Sequence, residues 1–150
     1  MKKNDIILTL IVLFVGLSSF LVVQIIQAQN QLTDGIAVVL YNDEEIMHIY
    51  LEDGSYDIFN HEHVFEDEFN LDNTPKQYVV KGDYASSFGR VVIGYEDHKV
   101  RILDERSPQN ICQKQGETNS PMRPLTCLPN NVVIVIRSSE FDPDEDDTQI

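Results

Sequence analysis

The chain has 150 residues, and its 25 acidic residues outnumber its 11 lysines and arginines, which gives a formal net charge of −14 at pH 7. Residues 1–33 contribute two lysines and one aspartate, so residues 34–150 carry a net charge of −15. A surface with this charge repels nucleic-acid phosphates and argues against a domain that lies flat on anionic lipid. The length fits one domain with accessory segments.

An apolar run from residue 6 to residue 26 predicts one transmembrane helix, because no charged residue occurs between Asp5 and Asp34. Its 21 residues would form a helix roughly 31 Å long at about 1.5 Å per residue. A bilayer core is about 30 Å thick, so the length fits one crossing. The alternative is a cleaved signal peptide, but the run is long for one and Ile26 stands where a small residue would precede the cleavage site after Ala28.

Basic residues on only one side of the run predict the orientation. Lys2 and Lys3 precede it, and no basic residue follows before Lys76. The N-terminus is therefore expected in the cytoplasm and the remainder outside, at the cell membrane. The predicted organisation is a cytoplasmic N-terminus (1–5), a transmembrane helix that contacts the lipid bilayer (6–26), a polar stalk (27–33), an extracytoplasmic β domain (34–137) and a disordered acidic tail (138–150).

Short apolar segments separated by turn residues predict that residues 34–137 form an all-β domain. The dipeptide Asp53-Gly54 is a good hairpin turn, since glycine accepts the positive φ that such a turn requires. Residues 60–73 break the pattern, and either a turn or two of helix or a mobile loop fits them. The predicted strands are 36–41, 46–51, 55–59, 77–81, 90–95, 99–103 and 131–137.

The chain contains two cysteines, Cys112 and Cys127. An exported domain with one cysteine pair favours a disulfide, and the 15-residue separation differs from the Cys-x-x-Cys spacing of reactive dithiols. A structural disulfide and a redox-active pair both remain possible interpretations at this point.

The segment from Gly94 to Ile136 resembles the stand-alone NusG domain II family of small membrane-anchored proteins. The matching features are an Ile-Cys pair, a glycine soon after it, and a Cys-hydrophobic-Pro-Asn sequence before the last strand. The motif residues are Ser107, Pro108, Ile111, Cys112, Gly116, Pro121, Cys127, Leu128, Pro129 and Asn130.

The resemblance implies a small, irregular β-sandwich or barrel of bent strands behind the transmembrane helix. It does not imply a role in transcription, because an exported domain does not meet RNA polymerase. Many relatives carry a third cysteine where this chain has Ser107. A redox or metal role for the family's cysteines would be weaker here for that reason.

A weak metal-site candidate lies in the acidic loop, where imidazole and carboxylate groups suit zinc or another divalent ion. Its residues are His61, His63 and Glu66. No set of residues has the spacing of a catalytic site or of a phosphate-binding loop, so the sequence assigns no catalytic residues, no cofactor and no resident metal.

The sequence therefore favours a non-enzymatic, membrane-anchored module that binds a membrane or cell-surface protein and no nucleic acid. One alternative is a thiol-redox or electron-transfer accessory protein that uses the cysteine pair. The other is a divalent-metal-binding module that uses the acidic loop. The sequence does not identify the partner or the oligomeric state.

Overall fold

The computed structural model describes residues 3–84 and 89–139. The chain divides into two compact units, Met1–Gln31 and Leu32–Ile150. The expected acidic tail lies outside the described residues from position 140 onward.

The first unit contains one helix, α1 (Lys3–Gln29). Its stretch Ile6–Ile26 has a mean hydropathy of 2.9, and its side chains are not buried. Length and composition suffice for a membrane crossing, although a signal sequence has the same properties. The helix continues to Gln29, so the first residues of the expected stalk are helical.

The second unit is built from short strands in two antiparallel sheets. The sheet orders are β3-β2-β1-β9-β8 and β4-β5-β6-β7. The strands are β1 (Ile36–Tyr41), β2 (Glu44–Tyr50), β3 (Tyr56–Ile58), β4 (Lys76–Gly82), β5 (Gly89–Glu96), β6 (Lys99–Glu105), β7 (Glu117–Thr118), β8 (Leu125–Cys127) and β9 (Val132–Arg137). The expected mainly β fold behind one apolar helix is confirmed, and within the described residues the strands form two sheets without closing into a barrel.

Two of the hairpins, β1–β2 and β5–β6, have two-residue turns between their strands. Asn42 and Asp43 have φ of 51° and 65°, and Asp97 and His98 have φ of 50° and 60°. Positive φ at both central positions matches the twist of the flanking strands, which is why short hairpins favour this turn. Gly54 also has positive φ, and a Cβ there would lie 2.5 Å from the ring of Tyr95.

Side chains from both sheets form one hydrophobic core. β9 shows how the core is filled: its β-branched run is continuous, yet Val132, Ile134 and Ile136 are buried while the residues between them are half-buried. Two tyrosines then tie the β4–β5 hairpin to the β2–β3 turn. Tyr78 donates a hydrogen bond to the carbonyl of Gly54 (2.5 Å) and Tyr95 donates one to the carbonyl of Leu51 (2.9 Å).

Residues 60–73 lie along the edge of β4. Isolated bridges join Val64 to Val80 and Asn70 to Gln77, and a single 3-10 turn forms at Glu66–Glu68. The side chain of Val64 is only 5% exposed and belongs to the hydrophobic core, so its burial holds the loop against β4. The loop covers an edge that would otherwise offer unpaired backbone groups to another chain.

The pattern of short strands did not predict β7 and β8. They contain two and three residues, which is too few for an alternating pattern to stand out. β8 nevertheless carries Cys127 and pairs it with Val132 of β9, so this small strand places one end of the cysteine pair against the core.

Candidate functional site at the disulfide segment

Residues 106–131, here called the disulfide segment, connect β6 to β9. Cys112 and Cys127 form a disulfide with a Cα–Cα distance of 5.2 Å. Both half-cystines are buried, with exposures of 1% and 0%. Burial limits thiol–disulfide exchange, which requires an attacking thiolate to reach a sulfur atom.

A buried carboxylate lies beneath the disulfide. Glu105 is 4% exposed and accepts hydrogen bonds at Oε1 from the Ser107 hydroxyl (2.7 Å) and the Cys112 amide (3.2 Å). Its Oε2 accepts a hydrogen bond from the side-chain amide of Asn130 (3.2 Å). A buried carboxylate is unfavourable unless it is hydrogen-bonded, so these donors hold the start and the end of the segment together.

A β-bulge places Glu105 inside. β6 pairs with β5 as Ile102 to Ile93 and then Asp104 to Val92, so Leu103 is the extra residue. The bulge shifts the alternation by one position, and Asp104 is exposed while Glu105 is buried. A Cβ on Gly94 would lie 2.6 Å from Leu103, so glycine at that position makes room for the bulge.

Asn130 closes the other side of the site. It is fully buried, and its amide nitrogen contacts Cys127 Sγ at 3.3 Å as well as Glu105. Its Oδ1 accepts a hydrogen bond from the backbone N–H of Tyr84 (3.2 Å). A Cβ on Gly82 would lie 2.5 Å from this Oδ1, so only glycine lets β4 approach. Asn130, the final residue of the Cys-Leu-Pro-Asn sequence, therefore contacts the end of β6, the disulfide and the chain just after β4.

Hydrogen bonds within the segment fix its surface. The side chain of Gln115 donates to the carbonyl of Thr126 (2.7 Å) and accepts from its N–H (2.9 Å), as a neighbouring strand would. Arg123 donates to the carbonyl of Gln115 (2.7 Å), and the hydroxyl of Thr118 donates to the carbonyl of Arg123 (2.8 Å). These contacts cover the free edge of β8 and give the segment a defined shape.

The outer surface of the segment is apolar and basic. Ile111, Met122 and Leu128 are 53%, 65% and 72% exposed. Ile111 directly precedes one half-cystine and Leu128 directly follows the other, so their Cα atoms lie at most about 13 Å apart. Three exposed basic residues accompany them. We use the name disulfide face for these exposed apolar and basic side chains of the segment, which are Arg106, Ile111, Lys114, Met122, Arg123 and Leu128.

The remaining motif residues occupy turns. Pro108 begins a 3-10 turn, Pro108–Asn110, and Gly116 has φ of 79°, which glycine adopts without strain. Pro121 is exposed, and Pro129 is half-buried in the 3-10 turn Leu128–Asn130. Sequence reasoning missed Glu105, because strict alternation along β6 places Asp104 inside instead.

The structure does not gather the three metal-site candidates of the acidic loop. Glu66 accepts a hydrogen bond from the Tyr56 hydroxyl (3.0 Å), and His61 is exposed. His63 packs its ring against Tyr41 at 4.6 Å between centroids, and its Nδ1 is buried without a partner among the described residues. Among the described residues, these side chains belong to no group of three or more metal-ligating residues whose ligand atoms lie within 4.8 Å of one another.

A second set of polar contacts joins Tyr41 at the end of β1, Asp83 just after β4 and Asn131 just before β9. Tyr41 donates to Asp83 (2.5 Å), which also accepts from the side-chain amide of Asn131 (2.6 Å). Burial, and next the hydrogen bond to Asp83, raise the pKa of Tyr41 to about 12. The hydrogen bonds from Tyr41 and then Asn131 lower the pKa of Asp83. The hydrogen bond between Tyr41 and Asp83 joins β1 to the residue after β4, so we assign it a structural role.

Three solved structures resemble this chain, and the one with a TM-score of 0.50 shares its fold. The solution NMR structure of the Lin0431 protein from Listeria innocua is 21% identical, with a TM-score of 0.50; the match covers 78% of this chain and 88% of that one. The crystal structure of the same protein gives 21% identity, a TM-score of 0.48 and coverage of 71% and 98%. A crystal structure of a DUF1312 family protein from Enterococcus faecalis V583 is 17% identical, with a TM-score of 0.49; the match covers 71% of this chain and 99% of that one.

The family comparison covers most of the chain. No curated protein matches it. The family described as NusG domain II matches residues 6–140, which include the apolar helix, both sheets and the whole disulfide segment. This chain belongs to the NusG domain II family.

Proposed function

We propose that this protein is a membrane-anchored, extracytoplasmic binding module without catalytic activity. Residues 6–26 would hold it in the membrane, and the disulfide face would contact a membrane or cell-surface protein. Family membership and the fold assign no reaction, so the proposal depends on the chemistry of this surface.

The observation that carries the proposal is the contrast between the cysteines and their neighbours. Each buried half-cystine is flanked by an aliphatic side chain that is more than half exposed, Ile111 on one side and Leu128 on the other. Apolar groups held rigidly at the surface are typical of protein–protein contacts. The disulfide then has a structural role, since it fixes the two anchors relative to each other.

Charge supports a protein partner with acidic groups around an apolar recess. The disulfide segment has three basic residues and one acid, a net charge of +2, whereas the rest of residues 34–150 carries −17. Glu117, the acid, is paired with Lys99 (2.7 Å). Within the described residues, Arg106 and Lys114 have no acidic partner, so both remain available to a partner's carboxylates. The strongly acidic remainder makes an anionic lipid surface a poor partner.

The location can be tested in intact cells by alkylation of Cys112 and Cys127 with a membrane-impermeant maleimide. The proposal predicts no labelling before reduction and labelling of both thiols after reduction, without lysis. Labelling that requires lysis even after reduction would place the domain in the cytoplasm and contradict the proposed orientation.

The binding face can be tested by photo-crosslinking in native membranes. A photoreactive residue at Leu128 or Ile111 is expected to give a discrete adduct with one protein. Phe59 and Leu71 are matched controls, because they are apolar and exposed (57% and 38%) but lie outside the disulfide segment. Equal adducts from all four positions, or an adduct with lipid alone, would refute the assignment of this face.

A further inference from the structure

The carboxylate of Glu105 and the two cysteine sulfurs form a compact buried group. One ligand atom from each of Glu105, Cys112 and Cys127 lies within 4.8 Å of the other two. All three residues are buried, with exposures of 4%, 1% and 0%. Within residues 3–84 and 89–139, this is the one group of three metal-ligating side chains gathered so closely.

The hydrogen bonds to Glu105 come from neutral groups: a hydroxyl, a backbone amide and a side-chain amide. They use both carboxylate oxygens, but they supply no full positive charge. Buried carboxylates are usually paired with a cation or bound to a metal ion. The site therefore offers a carboxylate ligand to a metal ion, and the donors that contact this carboxylate among the described residues are all neutral.

Cys112 and Cys127 would complete a metal centre when they are in the reduced, dithiol state. Before the disulfide forms, the chain carries two thiols at these positions; oxidation transfers two electrons and two protons to a disulfide-bearing oxidant. In the dithiol state a Zn²⁺ ion can displace the two thiol protons. Two thiolates and one carboxylate then provide ligands at about 2.0–2.3 Å from zinc, which requires ligand atoms roughly 3.3–3.8 Å apart.

We propose that the dithiol form of this protein binds a thiophilic divalent cation, Zn²⁺ or Cd²⁺, through Glu105, Cys112 and Cys127. Thiolate ligands select such ions over Mg²⁺ or Ca²⁺. The side-chain amide nitrogen of Asn130 lies 3.3 Å from Cys127 Sγ, so it adjoins one of the sulfur ligands of the proposed site. The disulfide segment is thus closed in one of two ways, by a covalent bond or by a metal ion. The proposal is independent of the binding face, since it concerns the inner side of the segment.

The test uses the full chain in detergent micelles, reduced with a phosphine and titrated with Cd²⁺. Thiolate-to-cadmium charge-transfer absorption reports binding through sulfur. We expect one ion per reduced chain and none in the oxidised chain. Replacement of a first-sphere ligand, Glu105→Gln, is expected to weaken binding at least tenfold. Glu117→Gln removes an exposed carboxylate of the same segment and is expected to bind like the wild type.

Thermal unfolding of the reduced chain with and without Zn²⁺ keeps the test decisive if the variant folds poorly. Binding to the folded state raises the free energy of unfolding by RT ln(1 + c/Kd), where c is the Zn²⁺ concentration, so the unfolding temperature rises with the logarithm of the ion concentration once that concentration exceeds the dissociation constant. A reduced wild-type chain that gains no stability from Zn²⁺ would overturn the proposal. So would Cd²⁺ affinity that is the same in wild type and Glu105→Gln, because unfolded thiols bind cadmium without the carboxylate.

Discussion

Replacing Asn130 with alanine tests the buried polar contact that holds the disulfide segment in place. Asn130 is fully buried and donates to Glu105 Oε2 (3.2 Å), so the alanine variant leaves a buried carboxylate oxygen without its donor. A hydrogen bond to a charged group contributes about 1.5–3 kcal/mol to stability. The backbone N–H of Tyr84 also loses its acceptor, in a hydrogen bond that is part-buried. The expected loss is about 2–4 kcal/mol, including a small cavity.

Urea denaturation of the oxidised full chain, followed by tyrosine fluorescence because the chain has no tryptophan, measures this loss. Asn73→Ala, at an exposed asparagine, is the matched control and is expected to change stability by less than about 0.5 kcal/mol. Asn130→Asp preserves the volume but places a second carboxylate against Glu105, so it is expected to lose at least as much stability at neutral pH. An aspartate variant as stable as the wild type would refute the reasoning.

Three further predictions concern the fold. Replacing both cysteines with serine is expected to reduce the free energy of unfolding by about 3 kcal/mol, which urea denaturation would show; an unchanged midpoint would contradict a stabilising disulfide. Tyr41→Phe is expected to cost about 1 kcal/mol near neutral pH. The pKa of Asp83 is lowered in the folded state, so the stability difference between wild type and Tyr41→Phe should shrink as the pH falls below 3.8. The pKa of Tyr41 is raised in the folded state, so the same stability difference should also shrink as the pH rises from 10.0 towards about 12. A pH-independent difference would exclude the contact. Gly94→Ala is expected to cost about 1–3 kcal/mol through overpacking against Leu103, and a double-mutant cycle with Leu103→Ala should recover part of that loss.

The sequence predicted the parts of the fold that depend on local chemistry. The hairpin from Arg90 to Leu103 follows from β-branched residues around a turn, and the structure has it as β5 and β6. The NusG domain II resemblance, carried by the residues around the cysteines, is confirmed by the family match. These features are visible in sequence because each depends on a few neighbouring residues.

The interior of the candidate site was not predictable in the same way. Glu105 becomes buried only because Leu103 forms a bulge, and that bulge depends on the space left by Gly94 across the strand pair. Likewise, the role of Asn130 depends on Glu105 and on Tyr84, which are 25 and 46 residues away. Such contacts are long-range consequences of register, and alternation in a single strand carries no information about them.

The most direct test of the binding proposal is the recovery of a crosslinked complex from native membranes by wild type and by a variant with Ile111→Ser and Leu128→Ser. Both side chains are exposed, so the variant is expected to fold and to keep its disulfide. The account predicts a stoichiometric complex with one membrane or cell-surface protein for the wild type, and its loss in the variant at unchanged unfolding stability. Absence of any stoichiometric complex, or a complex that survives both substitutions, would contradict it.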